Sequence, residues 1–80
     1  MTESQFQSKL IKQYESDGWY VIKLIQANRS GLPDLLLLRP NEVKFVEVKA
    51  ATGRTSKVQD YRIAELRSLG FNVEICKAPA

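Results

Sequence analysis

The sequence predicts an α/β fold in which a small mixed sheet is flanked by helices, and three observations predict it. Two capping-box patterns, Thr2-Glu3-Ser4-Gln5 and Ser56-Lys57-Val58-Gln59, each open a segment that runs on to a glycine, as a helix with a defined start and stop does. Residues 19–25, 35–38, 43–48 and 71–76 are apolar runs of strand length. The resulting order is helix, three strands, helix, strand. The short turn between the second and third strands makes them an antiparallel hairpin, and the last strand is reached by a helical crossover.

The first helix has Thr2 as N-cap and Gln5 three positions later, and runs to about Asp17 before Gly18 stops it. At about 100° per residue, Phe6, Leu10 and Tyr14 share one arc, and Glu3 lies in the middle of it. Gln7 shares that face, whereas Lys9 and Lys12 point the other way. Residues 19–25 form the first strand, with Trp19, Val21, Lys23 and Ile25 on one face. A polar loop, residues 26–31, leads to Pro33 and Asp34. The run Leu35-Leu36-Leu37-Leu38 then has the character of a central strand covered on both faces.

A turn at Arg39-Pro40-Asn41-Glu42 joins that strand to residues 43–48. Residues 50–57 form a loop carrying Gly53, Arg54 and Lys57. The second helix follows and ends near Leu69-Gly70, with Val58, Leu66 and Leu69 expected to pack on the sheet and Ile63 at the margin. In the last strand Phe71, Val73 and Ile75 alternate with polar residues. Cys76 is expected to pack near the strand end, and residues 77–80 to be a frayed tail.

Composition removes several classes of chemistry. Eighty residues fit one small domain of modest stability or one helped by self-association. A single cysteine allows neither an internal disulfide nor a cysteine-built zinc site, and the absence of histidine excludes Ser-His, Cys-His and histidine-zinc catalysis. Any metal must be bound by oxygen, which points to Mg²⁺ or Mn²⁺. The polar N-terminus lacks a signal-peptide core and no apolar run approaches membrane-spanning length, so a cytosolic location away from membranes is expected. Twelve Lys and Arg stand against nine Asp and Glu. With Glu3, Asp34 and Glu47 set aside as a metal site, the remaining surface is strongly basic, as suits a polyanion such as DNA or RNA.

Three charged residues, Asp34, Glu47 and Lys49, stand in or beside the two central apolar runs. A turn centred between Pro40 and Asn41 pairs Asp34 with Glu47 across the hairpin, where Cβ atoms lie roughly 4.5–5.5 Å apart. Two opposed carboxylates repel unless a cation lies between them. Lys49, two residues beyond Glu47, points to the same face. The plainer alternative makes Asp34 a turn residue and Glu47 with Lys49 a solvated edge pair. Glu3 is either a third acidic group there or a helix-dipole residue. Gln59 either caps its own helix or reaches a water or phosphate at the site. Gly31 would let backbone approach a phosphate closely and Arg29 could grip one; the alternative is an ordinary turn with a solvated arginine. Of the basic residues, Arg29, Arg54 and Lys57 lie in loops near the strand ends that carry the site.

Element order together with Pro33-Asp34 and Glu47-Val48-Lys49 resembles the PD-(D/E)XK nuclease superfamily, with its restriction-endonuclease-like α-β-β-β-α-β core. Gly31-Leu32-Pro33-Asp34, Gly53, Gln59, Glu3, Gln7 and the short chain resemble its virus-type replication-repair nuclease (VRR-NUC) domain. The resemblance implies metal binding by Asp34 and Glu47, helped by the Val48 carbonyl and by Glu3, with Mg²⁺ as cofactor and Mn²⁺ as substitute. It implies that Lys49 holds the attacking water and neutralises phosphate charge, with Gln59 in support. The stand-alone phage and bacterial type, taken here, implies a homodimeric Holliday-junction resolvase acting on four-way DNA junctions. A nicking or restriction-like nuclease, or a non-catalytic DNA-binding module of the same fold, are the alternatives.

Overall fold

Both helices begin and end where hydrogen bonds satisfy their terminal groups. In the computed structural model, which describes residues 1–80, the elements are α1 (Glu3–Ser16), β1 (Tyr20–Lys23), β2 (Leu35–Arg39), β3 (Glu42–Lys49), α2 (Lys57–Ser68) and β4 (Asn72–Lys77). Thr2 and Ser56 are N-caps, each in a reciprocal capping box with the glutamine three residues on. At the other end, Gly18 and Gly70 take positive φ, and the amides of Gly18 and Trp19, and of Gly70 and Phe71, reach back to the last carbonyls in paired Schellman bonds. Helix starts and stops fall where the sequence pattern places them.

The sheet has the order β1-β2-β3-β4. Its first three strands are antiparallel, and β4, reached through α2, is parallel to β3. The hairpin register runs from Leu35 opposite Val46 to Arg39 opposite Glu42, the predicted pairing. Asn41, at φ 61°, supplies the left-handed residue that the two-residue turn Pro40-Asn41 requires after its proline. At the far end of the turn, Arg39 donates to the Asp17 carbonyl and lies 3.9 Å over the Trp19 ring, tying the hairpin to the end of α1.

Alternation along β2 and β3 builds two unlike faces. Leu35, Leu37, Val46 and Val48 are fully buried against Phe6 and Leu10 of α1, with Ala78 in the same cluster. Each such leucine or valine contributes roughly 1.5–3 kcal/mol by leaving water. The opposite face carries Phe45 and Glu47 and is covered by the shorter α2, with Ile63 and Val73 buried there. Only 11 residues of the chain are buried, so the protein stands on a thin core.

Three sequence expectations are corrected. The first strand is shorter than residues 19–25, because its partner begins at Leu35: pairing ends at Lys23 opposite Leu35, one further bond joins the Leu24 amide to the Asp34 carbonyl, and Ile25 has no strand residue opposite it and is 84% exposed. On α2 the inward residue is Ile63, while Val58 and Leu69 are largely exposed. The helix is rotated so that Gln59, Ile63 and Leu66, rather than Val58, face the sheet, and Gln59 there meets a buried carboxylate. Leaving that carboxylate without its donor would cost more than exposing two valine methyls. The tail is not frayed at its start. Lys77 belongs to β4, and Ala78 is buried with its amide bonded to the Lys49 carbonyl at 2.9 Å.

Candidate active site

Asp34 precedes β2 and is held from both neighbouring strands. Its carbonyl accepts the Leu24 amide at 2.8 Å, and its side-chain Oδ2 accepts the Val48 amide at 2.8 Å. Val48 therefore meets Asp34 through its N–H. Pro33, itself fully buried, fixes the chain just before this carboxylate.

Glu47 lies in the middle of β3 with only 1% of its surface exposed, a place where an ionised carboxylate persists only with partners. Oε2 has two: Lys49 Nζ at 3.1 Å and Gln59 Nε2 at 3.0 Å. Oε1 is buried with no hydrogen-bond partner. Burial pushes the Glu47 carboxyl above the usual carboxylate range, and the Asp34 and Glu3 charges push the same way, while Lys49 opposes them. The structure thus gathers Asp34, Glu47, Lys49 and Gln59 into one constellation. Gln59 caps α2 through its Oε1, as one of the two sequence readings had it, and its Nε2 donates to the Glu47 carboxylate, a partner neither reading named.

Glu3 is placed differently from the expectation of an inward third acid. It is exposed, and its Oε1 accepts the Ala50 amide at 3.3 Å, so it stands at the rim next to the end of β3. No three acidic side chains come together closely enough to form a cation cage. A first-turn residue of α1 can approach the sheet only at its edge, which the helical wheel alone does not reveal. The site nonetheless fits a hard cation in its donor chemistry, because Asp34 and the orphaned Glu47 Oε1 offer oxygen only.

The loop residues separate into two groups. Arg54 shares an open cleft with Lys49. Arg29 lines another cleft, with Gln26, Ser30 and Gly31, and Lys57 is exposed in the first turn of α2. Gly31, at φ 76°, lines that cleft beside Arg29, and the start of α2 crowds it from the other side. A Cβ there would lie 2.6 Å from the Val58 carbonyl oxygen, so what approaches it closely is the start of α2. Arg62 clamps the same loop by donating to the Ser30 carbonyl. Sequence reasoning missed Ala50 and Lys77 near the site. The parallel register of β4 on β3 was the signal that places Lys77 beside Lys49.

Adjacent strands that present a Pro-Asp dipeptide and then Glu47-Val48-Lys49, beneath a helix that supplies Gln59, define the PD-(D/E)XK nuclease class of α/β fold. Within that class, the chain belongs to the VRR-NUC domain family, whose profile matches residues 2–80. A solved structure described as a VRR_NUC domain superimposes with a TM-score of 0.84 and 28% identity, covering 98% of this chain and 87% of the other. Fanconi-associated nuclease 1 of Danio rerio is 44% identical over 54 residues, 65% of this chain and 6% of that protein. Its Homo sapiens counterpart is 43% identical over 54 residues, 65% of this chain and 5% of that protein. The Arabidopsis thaliana homologue is 46% identical over 54 residues, 60% of this chain and 6% of its own length. The chain therefore spans about one-twentieth of these curated relatives. No helix is long and apolar enough to cross a membrane.

Proposed function

We propose that this protein is a Mg²⁺-dependent, structure-selective DNA endonuclease that hydrolyses phosphodiester bonds, acting as a homodimer on four-way junctions. The observation that carries the reading is the buried Glu47, held by Lys49 and Gln59 through one oxygen while the other is left without a partner, with the Asp34 charge beside it. A non-catalytic DNA-binding fold has no use for so costly an arrangement. Nuclease relatives support the same activity.

Asp34 and Glu47 Oε1 are the groups that would hold the cation, with the Val48 carbonyl and, from the rim, Glu3 as further oxygens. Bound there, Mg²⁺, or Mn²⁺ in its place, supplies Lewis acidity that lowers the pKa of water and offsets charge on the phosphoryl oxygens. The chain's own residues do the rest. The Val48 amide and the Leu24 amide fix Asp34 on either side. Gln59 pins Glu47 Oε2 and so sets the direction of Oε1. Lys49 supplies a fixed positive charge where negative charge develops in the transition state, and orients the attacking water. Arg29, Arg54 and Lys57 contact phosphates, which positions a duplex without reading its sequence.

The test is cleavage of a four-way junction, a flap and a linear duplex in Mg²⁺ by the parent, Asp34→Ala and Lys49→Ala proteins. Junction cutting by the parent alone is expected. Cleavage that survives both substitutions would remove the assigned site; binding without cleavage by the parent would make the domain a binding module; equal cutting of linear duplex would make it a nicking or restriction-like enzyme. Sizing in solution tests the dimer, and a monomer at micromolar concentration would end the case for symmetric cutting.

A further inference from the structure

Parallel pairing of β3 with β4 sets Ile75 opposite Glu47 and Lys77 opposite Lys49. Residues opposed in this way share a face of the sheet, so Lys77 stands on the side of the acidic pair, one interstrand spacing of about 4.8 Å farther out. Arg54 comes to the same place from the loop after β3. Lys49, Arg54, Thr55, Ile75 and Lys77 line one open cleft of about 410 Å³, and no acidic residue lines it.

The cations of that cleft are not equivalent. Lys49 is engaged by Glu47, whereas Arg54 and Lys77 form no ion pair with any carboxylate of the protein. Two free cations converging beside a third repel one another, which an anion in the cleft would reverse. Between them lies Ile75, 41% exposed despite its place in the sheet, an apolar floor within a basic rim. A sugar-phosphate unit carries both properties, an anionic phosphodiester and an apolar sugar face. An isolated inorganic anion has no use for Ile75.

We infer that this cleft is a second backbone-phosphate site, in which Lys77 and Arg54 hold a non-reacting phosphodiester of the DNA strand next to the one presented to Lys49, with its sugar over Ile75. The inference rests on the nuclease reading for the identity of the strand. It makes Lys77 a positioning residue. Its loss weakens substrate binding, while the groups that meet the reacting phosphate stay in place.

The experiment compares the parent, Lys77→Gln, Lys77→Arg and Lys12→Gln. Lys12 is exposed on α1, so its substitution removes the same charge away from the cleft. Binding of a labelled four-way junction and a labelled linear duplex is read by fluorescence anisotropy across a salt series, and cleavage is read separately. Lys77→Gln should weaken binding to both DNAs and make the slope of log affinity against log salt shallower by about 0.9. Between about 50 and 200 mM salt, the parent should thus lose roughly 3- to 4-fold more affinity than this variant. Lys77→Arg should restore the slope, Lys12→Gln should keep it, and the saturated cleavage rate of Lys77→Gln should match the parent. A parental slope for Lys77→Gln, or an equal change in Lys12→Gln, would overturn the inference. A parent that binds but does not cut ends the nuclease reading while the Lys77 comparison still decides the cleft. A parent that binds no DNA overturns both.

Discussion

Gln59 joins the start of α2 to the buried carboxylate: its Nε2 donates to Glu47 Oε2 at 3.0 Å while its Oε1 accepts the Ser56 amide at 2.9 Å. Helix capping and site geometry are therefore one hydrogen-bonded unit. Gln59→Ala removes both bonds and should cost about 1–3 kcal/mol of stability, with slower cleavage because Oε1 is no longer aimed. Gln59→Glu keeps an oxygen for Ser56 but sets a carboxylate against Glu47, so it should be the more damaging change at neutral pH. Its melting temperature should recover on acidification, when one carboxyl of the pair is protonated. Denaturation followed by circular dichroism at both pH values checks this, and a Gln59→Glu protein as stable as the parent at neutral pH would count against the direct contact.

Glu47 gives stability a pH dependence of definite sign. Burial first, and then the Asp34 charge, raise its folded-state pKa above the ordinary 4.5, so the native state holds this proton more tightly than the unfolded chain does. The associated stability is fully present below the unfolded pKa and is lost as pH rises through the higher folded value. Glu47→Gln, which cannot ionise, should escape that loss. In metal-free buffer, the variant should gain on the parent as pH is raised from about 4 to 8, while cutting no DNA. Added Mg²⁺ should raise the melting temperature of the parent and leave the variant unmoved. Parallel stability curves for the two proteins would show that burial does not perturb Glu47.

Legibility in the sequence followed the range of the physics involved. Capping boxes, glycine stops and the hairpin register are set by neighbours a few residues apart, and for Thr2, Gly18, Gly70 and the pair Leu35–Val46 the sequence reading and the structure agree. From that register the sequence reading set Asp34 opposite Glu47; the observed ladder stops at Leu35–Val46, and the Asp34 carboxylate is held on the Val48 amide next to Glu47. What the sequence hid depends on contacts between distant segments. The rotation of α2 is decided by the bond from Gln59 to Glu47 and by the seat of Gly31 under Val58. The shortened first strand is decided by where its partner β2 begins, at Leu35, which leaves no strand residue opposite Ile25. Glu3 lies on the apolar arc of its helix as read, yet helix length and placement leave it at the rim.

Gly31 and Gly70 form an internal comparison, since both have positive φ but only Gly31 is crowded. A Cβ at Gly31 would meet the Val58 carbonyl oxygen at 2.6 Å, whereas one at Gly70 has nothing within 4 Å. Gly70→Ala should cost only the left-handed backbone penalty, roughly 1–2 kcal/mol, with cleavage intact. Gly31→Ala adds a backbone clash that displaces the first turn of α2, and Gln59 with it, so both stability and cleavage should fall further. Chemical denaturation and junction cleavage of the two variants read the difference. Equal effects in the two would mean that the seat of α2 on Gly31 does not govern the site.

Ala78 extends the parallel ladder one residue past Lys77 and anchors the end of β3 that carries Lys49, because its amide donates to the Lys49 carbonyl at 2.9 Å from a buried position. Ala78→Pro removes that donor and leaves the carbonyl short of a partner, which should cost about 1–3 kcal/mol. Ala78→Gly retains the amide and should cost about 1 kcal/mol, mainly through the greater freedom of the unfolded chain. If β4 holds Lys49 in place, the two variants should part in cleavage by more than they part in folding. At a temperature where both are fully folded, Ala78→Gly should cut DNA at near the parental rate and Ala78→Pro should cut more slowly. Parental cleavage by folded Ala78→Pro would instead mean that Lys49 is positioned from within β3, by Glu47 alone.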